Sequence, residues 1–203
     1  MGAVVTHAVV SVDGFIADPH DEVGPLFDWY VNGDVEIIDG GQIKVSQASA
    51  DYIKTTWAGI GSMVIGRHLF DTTNGWEGVP PAGDHVVVVS HRPKPDDWEP
   101  EGFHPVHPRE RQASYYFISD VAQAIATAKE VAGDRTVAVA AGDVGGQAFA
   151  LGLVDEVAMD VVPVVFGSGK RYFGSVDAQH LLEDPHTVIQ GNRVLHLRYR
   201  VRR

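Results

Sequence analysis

Two arginines stand just beyond short apolar runs: Arg67 follows Met63-Val-Ile65-Gly66, and Arg92 follows Val86-Val-Val-Val89-Ser90-His91. A guanidinium at a strand end offers a rigid fork of N–H donors, which can clamp a phosphate monoester by paired, charge-assisted hydrogen bonds. Further along, Ala141-Gly142-Asp143-Val144-Gly145-Gly146 joins an apolar strand pattern at residues 136–140 to a helical pattern at residues 147–151. Glycines there would let backbone N–H groups approach an anion closely, and the helix would turn its positive end to the same place. A pyrophosphate suits the glycine run and a 2′-phosphate suits the arginines. Plainer explanations stay open. Glycine turns precede helices for steric reasons alone, the run departs from the G-x-G-x-x-G fingerprint, and an arginine can simply pair with one of the 27 acidic residues.

Other constellations carry less. His104-Pro-Val-His107 has a spacing that could bring two imidazoles to one metal, but its prolines and its lack of carboxylate or thiolate partners favour an exposed loop. No metal site is therefore expected. Gly167-Ser168-Gly169-Lys170 lacks the spacing of a phosphate-binding P-loop and is not a nucleophile elbow, so it reads as a turn. Phe27, Trp29, Tyr30 and Trp76 could stack on a flat substrate or could pin a loop to the body of the domain.

These residues need strands and helices to position them. Residues 3–10 are apolar and β-branched and stop at Asp13-Gly14, the pattern of a buried strand entering a turn. Residues 18–41 are rich in Asp, Gly and Pro and read as a long loop of the kind that forms lids. Residues 46–59 predict a helix, with Ser46 and Ser49 as caps and apolar residues three and four apart. Strands are predicted at 63–65, 86–89, 115–118, 136–140, 156–165 and 194–201, and an amphipathic helix at 121–131 stopped by Gly133. Strands separated by helices give an α/β fold. Its sheet should be mixed, because the last strands have no helix between them.

The 203 residues suit one domain, with 44% apolar and 21% charged residues. A formal charge of -11 opposes attraction to nucleic acid or anionic membranes. The chain has no cysteine, which removes disulfide and thiolate chemistry. The first residues lack the basic and apolar blocks of a secretory signal, and no run is long enough for a membrane span, so the cytoplasm is the expected location.

Taken in order, Ser11-Val-Asp13-Gly14-Phe-Ile16-Ala17, Val64-Ile65-Gly66-Arg67-His68, Val88-Val89-Ser90-His91-Arg92-Pro93, the glycine run, and Leu153-Val-Asp155-Glu156 leading to Pro163-Val-Val-Phe-Gly167-Ser-Gly169 resemble the dihydrofolate reductase superfamily. The branch they resemble is the reductase domain of the bifunctional riboflavin-biosynthesis deaminase-reductase. That resemblance spans nearly the whole chain. It implies a three-layer fold with a central mixed, mostly parallel sheet and helices on both faces, NADPH as cofactor, and a homodimer to which Leu195 and Leu197 could contribute. It further implies that Gly66, Arg67, His68, Ser90, His91 and Arg92 hold the adenosine and its 2′-phosphate. Gly142, Asp143, Val144, Gly145 and Gly146 would hold the pyrophosphate, and the turn that includes Val10, Asp13 and Ile16 would flank the nicotinamide.

The implied reaction is hydride transfer to a small planar heterocycle, pterin- or pyrimidine-like, or to a carbonyl compound. In riboflavin-type reductases an acid precedes the glycine pair, where this chain has Ala140-Ala141. That departure motivates an alternative, a nucleotide-binding or regulatory protein that keeps the fold without turnover. In dihydrofolate reductases a carboxylate on the first helix protonates or polarises the pterin. Asp51 lies at nearly the corresponding distance before Gly66, which makes it the candidate proton source or else a solvated helix carboxylate.

Overall fold

The computed structural model describes residues 2–104 and 112–202. Strand β1 (Val4–Ser11) turns at Gly14 into the short β2 (Phe15–Ala17). A 3₁₀ helix at Gly24–Val31 follows, and then β3 (Val35–Glu36) and β4 (Lys44–Val45), which pair with each other. Helix α1 (Gln47–Ala58) starts where the Ser46 hydroxyl accepts the Ser49 N–H, and it stops at Gly59. Next come β5 (Ile60–Gly66), α2 (Arg67–Thr73), β6 (His85–Val89) and β7 (Ser114–Ile118). Helix α3 (Val121–Ala132), capped by Asp120, precedes β8 (Thr136–Ala140) and α4 (Asp143–Ala150). The chain closes with β9 (Glu156–Val162), β10 (Lys170–Arg171), β11 (Thr187–Gly191) and β12 (Val194–Arg200).

Eight of these strands share one sheet in the order β11-β12-β9-β1-β8-β5-β6-β7. From β9 to β7 every pairing is parallel, and β12 and β11 are added antiparallel. The fold is α/β, with a mixed, mostly parallel sheet between helices. Side chains alternate across it. Val4, Val10, Val64, Val87, Val137 and Val139 face α3 and α4, whereas Val9, Val162 and Val194 face α1. Among the described residues, no helix is long and apolar enough to cross a membrane.

Three sequence expectations need correction. The run from Ala141 to Gly146 is not a turn followed by a helix at Gln147: α4 begins at Asp143 and contains both later glycines. A Cβ on Gly145 would stand 2.7 Å from the Ala140 carbonyl oxygen, so glycine serves close helix-to-strand packing there. Residues 18–41 are not a lid, because Leu26, Trp29 and Ile37 are buried in the core under α1. Strand β9 ends at Val162 rather than residue 165, since Pro163 has no N–H to continue a ladder. The α2 helix and strand β11 lay outside the sequence expectations altogether.

Candidate active site

On the α1 side of the sheet the core is split. One cluster gathers Val9, Leu26, Trp29, Ile53 and Val162, and another gathers Ile65, Phe70, Val86 and Val88. Between them β1 and β8 present His7, Ala138 and Ala140, all half-buried, with Val5 beside Ala138 and His7 beside Ala140. Ala140 packs against the second cluster, and the small side chain of Ala138 borders a cleft in the sheet face. Part of it is a cavity of about 180 Å³ lined by His7, Tyr30, Tyr52, Ala138, Asp160 and Arg198. The cavity also takes in Trp57, Gly59, Ile60 and Thr136 toward the amino-terminal ends of the strands, and it shares Trp57 and Ile60 with a hollow of about 280 Å³ that Ile37, Pro81 and Arg135 line at those ends.

One wall of the cleft is a chain of polar groups. His7 Nε2 lies 2.9 Å from Asp160 Oδ2, and His196 Nδ1 lies 2.6 Å from Asp160 Oδ1. His196 Nε2 is in turn 2.9 Å from the Ser49 hydroxyl on α1. Asp160 and His196 are buried, but the His7 side chain keeps 37% of its surface open. Trp29 and Tyr52 hold the His196 ring from two sides, at centroid distances of 5.3 and 4.6 Å. Burial raises the Asp160 carboxyl, yet the His7 charge and the hydrogen bonds from His196 and His7 outweigh it and hold the group well below the usual carboxylate range. A buried carboxylate this well paired is an acceptor only, so both facing ring nitrogens carry hydrogen. Burial, with the Asp160 charge adding to it, pushes the Tyr52 phenol up to about 12 and raises the Tyr30 phenol as well.

The polar chain of His7, Asp160, His196 and Ser49 was not among the sequence candidates for chemistry. Their signal was present, since His7, Asp160 and His196 each interrupt a run of apolar residues that forms a strand: VVTHAVV, VAMDVV and VLHL. Only the order β12-β9-β1 makes the three interruptions neighbours.

A second constellation lies at the carboxyl edge of the sheet. Arg67 opens α2 at the end of β5, and Arg92 follows β6. Both guanidinium groups reach Asp71: Arg67 Nε at 2.6 Å and Arg92 Nη2 at 2.9 Å. Arg67 also donates to the Pro93 carbonyl and, at 3.5 Å, to Ser90, whose hydroxyl accepts the Arg92 N–H. The Arg67 hydrogen bond, opposed by partial burial and aided by the charges of both arginines, holds the Asp71 carboxyl below its ordinary value. Two arginines against one carboxylate leave a net positive charge at this edge. The other strand ends meet it: a Cβ on Gly66 would lie 3.3 Å from Val144 of α4, and one on Gly142 would lie 3.1 Å from Ile16. The first N–H groups of α4 therefore stand beside the ends of β5 and of the β1–β2 turn, free of partners within the helix.

Other expected site residues fall elsewhere. Asp51 is exposed on α1 and takes a 2.7 Å hydrogen bond from Gln47, so it faces solvent and not the cleft. Val10 is buried against α3 and α4, which leaves its side chain no open surface. The Asp13 carboxylate is used within the protein, accepting from the Ser11 hydroxyl and from the N–H groups of Phe166 and Gly167. His68 is exposed beside Asp21 at 3.8 Å, and His91 is exposed. Of the four aromatics, Trp29 is core, Phe27 packs at a tilt against Tyr30, and Trp76 belongs to the far cluster; of these four, Tyr30 alone lines the cavity. His107 lies outside the described residues. Among the described residues no group of three or more His, Asp or Glu is arranged to hold a metal ion.

A family model described as the RibD C-terminal domain matches residues 3–196. No curated protein matches the chain. Among solved structures, the chain is similar to a Shewanella sp. PV-4 protein described as one of riboflavin biosynthesis, with TM-score 0.68, 16% identity and 99% of each chain covered. It is similar to the diaminohydroxyphosphoribosylaminopyrimidine deaminase/5-amino-6-(5-phosphoribosylamino)uracil reductase of Thermotoga maritima, with TM-score 0.60, 12% identity, and 99% of this chain but 57% of that one covered. A dihydrofolate reductase of Enterococcus faecalis, complexed with NADP(H) and a second ligand, gives TM-score 0.56 and 12% identity over 100% of this chain and 98% of that one.

Proposed function

The chain belongs to the RibD C-terminal domain family, and from that membership we propose that it is a reductase which uses NADPH to reduce a C=N or C=O group of a small planar heterocycle or carbonyl compound. The observation that carries this reading is the meeting of Arg67 and Arg92 on Asp71, at the ends of adjacent strands and beside the start of α4. Net positive charge and helix N–H groups with no partner inside the helix are what a dinucleotide with a phosphate monoester requires. In this reading Gly66, Arg67, His68, Ser90, His91 and Arg92 bind the adenosine and its 2′-phosphate, residues 142–146 bind the pyrophosphate, and Ile16 flanks the nicotinamide. When bound, the reduced nicotinamide supplies a hydride.

The substrate then occupies the cleft over His7 and Ala138, with Tyr30 along one side. A flat ring suits a floor with so small a side chain at its centre. The non-catalytic alternative was motivated by Ala140-Ala141 in place of an acid, but His7 and Asp160 put a proton-bearing pair beside Ala140. Asp51 has no part in this reading. A single domain is supported by the eight strands sharing one sheet. A homodimer is supported by the half-buried apolar face that Met159 and Val161 of β9 form with Leu195 and Leu197 of β12, and cytoplasmic location remains part of the same proposal.

The test is a titration with NADPH and, separately, NADH, following energy transfer from tryptophan to the reduced nicotinamide. Wild type should bind NADPH more tightly. Arg67→Ala or Arg92→Ala should weaken NADPH by about 10- to 100-fold, the worth of one charged hydrogen bond, and leave NADH nearly unchanged. Absence of binding by either nucleotide would remove the reading.

A further inference from the structure

We propose that His7 is the proton donor of this site: Asp160 fixes a hydrogen on Nε2, so that the imidazolium gives up its proton from Nδ1 and is left as the neutral Nε2–H tautomer, with His196 and Ser49 as positioning residues behind Asp160. The proposal rests on the reductase reading above and deepens it.

Geometry fixes the direction of the chain. An ionised Asp160 accepts on both oxygens, so His7 must donate from Nε2 and His196 from Nδ1. His196 Nδ1 is taken up by Asp160, and its Nε2 is taken up by the Ser49 hydroxyl at 2.9 Å. Every group behind His7 is thus committed. Its own Nδ1 has no hydrogen-bond partner among the described residues, and its ring is the part of the chain open to the cleft.

The groups around the cavity leave His7 without a rival. The 3₁₀ helix contributes Tyr30 and α1 contributes Tyr52, phenols that burial and the charge of Asp160 keep protonated. From β9 comes Asp160, closed off behind His7. From β12 come His196, buried, and Arg198, which is tied to Glu156 at 2.6 Å. On β8 the cavity is lined by Thr136 and Ala138, which do not titrate. Histidine is the side chain whose ordinary range spans neutral pH.

The step balances. The acceptor carbon of C=N or C=O gains a hydride from the reduced nicotinamide, and its π pair moves to the nitrogen or oxygen. That atom takes the proton from His7 Nδ1. His7 is left neutral with its Nε2–H still donated to Asp160, NADP⁺ and the reduced substrate are the products, and solvent returns a proton to the open Nδ1. Such proton transfer contributes about 10²- to 10⁴-fold to rate.

The experiment is nitrogen NMR of the full chain labelled at its histidines, recorded across pH without nucleotide, for wild type, Asp160→Asn and His196→Gln. Neutral His7 is expected as the Nε2–H tautomer, with Nδ1 the nitrogen that loses its proton as pH rises; Asp160→Asn should release that preference. A neutral Nδ1–H form in wild type, or a tautomer unmoved by Asp160→Asn, would overturn the proposal whether or not the protein is a reductase. In parallel, NADPH oxidation with 7,8-dihydropterin and with phenanthrenequinone is measured for wild type and His7→Gln. His7→Gln should lower turnover at least 100-fold, remove the pH dependence and leave NADPH binding within about threefold. Turnover within a few fold of wild type would refute the donor role. If wild type binds NADPH but reduces neither probe, the tautomer measurement alone decides; if it binds no NADPH, the reductase reading fails instead.

Discussion

His196 Nδ1 stands 2.6 Å from Asp160 Oδ1 with both side chains almost wholly removed from water. A buried carboxylate between two imidazoles has strong consequences for stability when one member is lost, because the others keep their desolvation cost without their partner. Asp160→Ala should lower unfolding free energy by about 3–5 kcal/mol, read from the urea midpoint. The pH dependence has a definite sign. A carboxyl held below its ordinary range in the folded state contributes stability that is fully present above the unfolded value of about 3.9 and is lost as pH falls through the folded value. Wild type should therefore weaken steadily below about pH 4, and Asp160→Asn should show a shallower loss over that window.

Asp71 competes with any phosphate for Arg67 and Arg92. Replacing it by Asn keeps most of its shape and removes its charge. Asp71→Asn should tighten 2′-AMP by about two- to fivefold, within the range of exposed ion pairs, and the gain should shrink as salt rises. Calorimetric titration at two ionic strengths measures both. Weaker binding would mean that Asp71 acts mainly by orienting the guanidinium groups.

Most strands could be read from sequence because their apolar runs are continuous, and both arginines were found because each follows such a run. The chemical wall of the cleft was not read. His7, Asp160 and His196 are 153 and 36 residues apart along the chain, and nothing local says that β12, β9 and β1 are neighbours. Helix α2 was missed for a different reason: Arg67–Thr73 is seven residues long with no side-chain cap, too short for apolar periodicity to appear. Asp51 has the expected distance from Gly66 along the chain, whereas burial on α1 falls on Ser49, Ala50 and Ile53. Two residues on a helix turn the side chain to the opposite face.

Gly145 is buried where α4 crosses the end of β8. An added Cβ would meet the Ala140 carbonyl oxygen at 2.7 Å and the Thr6 hydroxyl at 2.8 Å, and the first of these is backbone that cannot swing away. Gly145→Ala should cost about 1–3 kcal/mol of stability by the usual penalty of overpacking, seen as a lower thermal midpoint. Because α4 would be displaced from the edge proposed to hold pyrophosphate, NADPH affinity should fall with it.

Asp13 ties the turn after β1 to the segment after β9 through the N–H groups of Phe166 and Gly167, at 3.2 and 2.7 Å. The Ser11 hydrogen bond, opposed by slight desolvation and aided by those two N–H groups, keeps its carboxyl below the ordinary range. In Asp13→Ala the two amides lose their acceptor. Hydrogen exchange at Phe166 and Gly167 should accelerate while exchange in β8 stays unchanged, which separates a local clasp from a global loss of stability.

On the side of the sheet away from α1, β9 and β12 set Leu195 beside Val161 and Leu197 beside Met159, and all four are half-buried. Val188 of β11, opposite Leu197, is 59% exposed. Helices α3 and α4 pack over β5, β6 and β8 and stop short of this end of the sheet. A row of aliphatic side chains on a sheet face is costly to leave in water, at roughly 25 cal/mol per Å², and a second copy of the same face related by a two-fold axis would cover it. Leu197→Lys places a charge at the centre of that row. Wild type should run as a dimer by sedimentation and the variant as a monomer, with its far-ultraviolet dichroism unchanged. A monomeric wild type would reject the dimer, and a dimeric, folded Leu197→Lys would move the interface to another face.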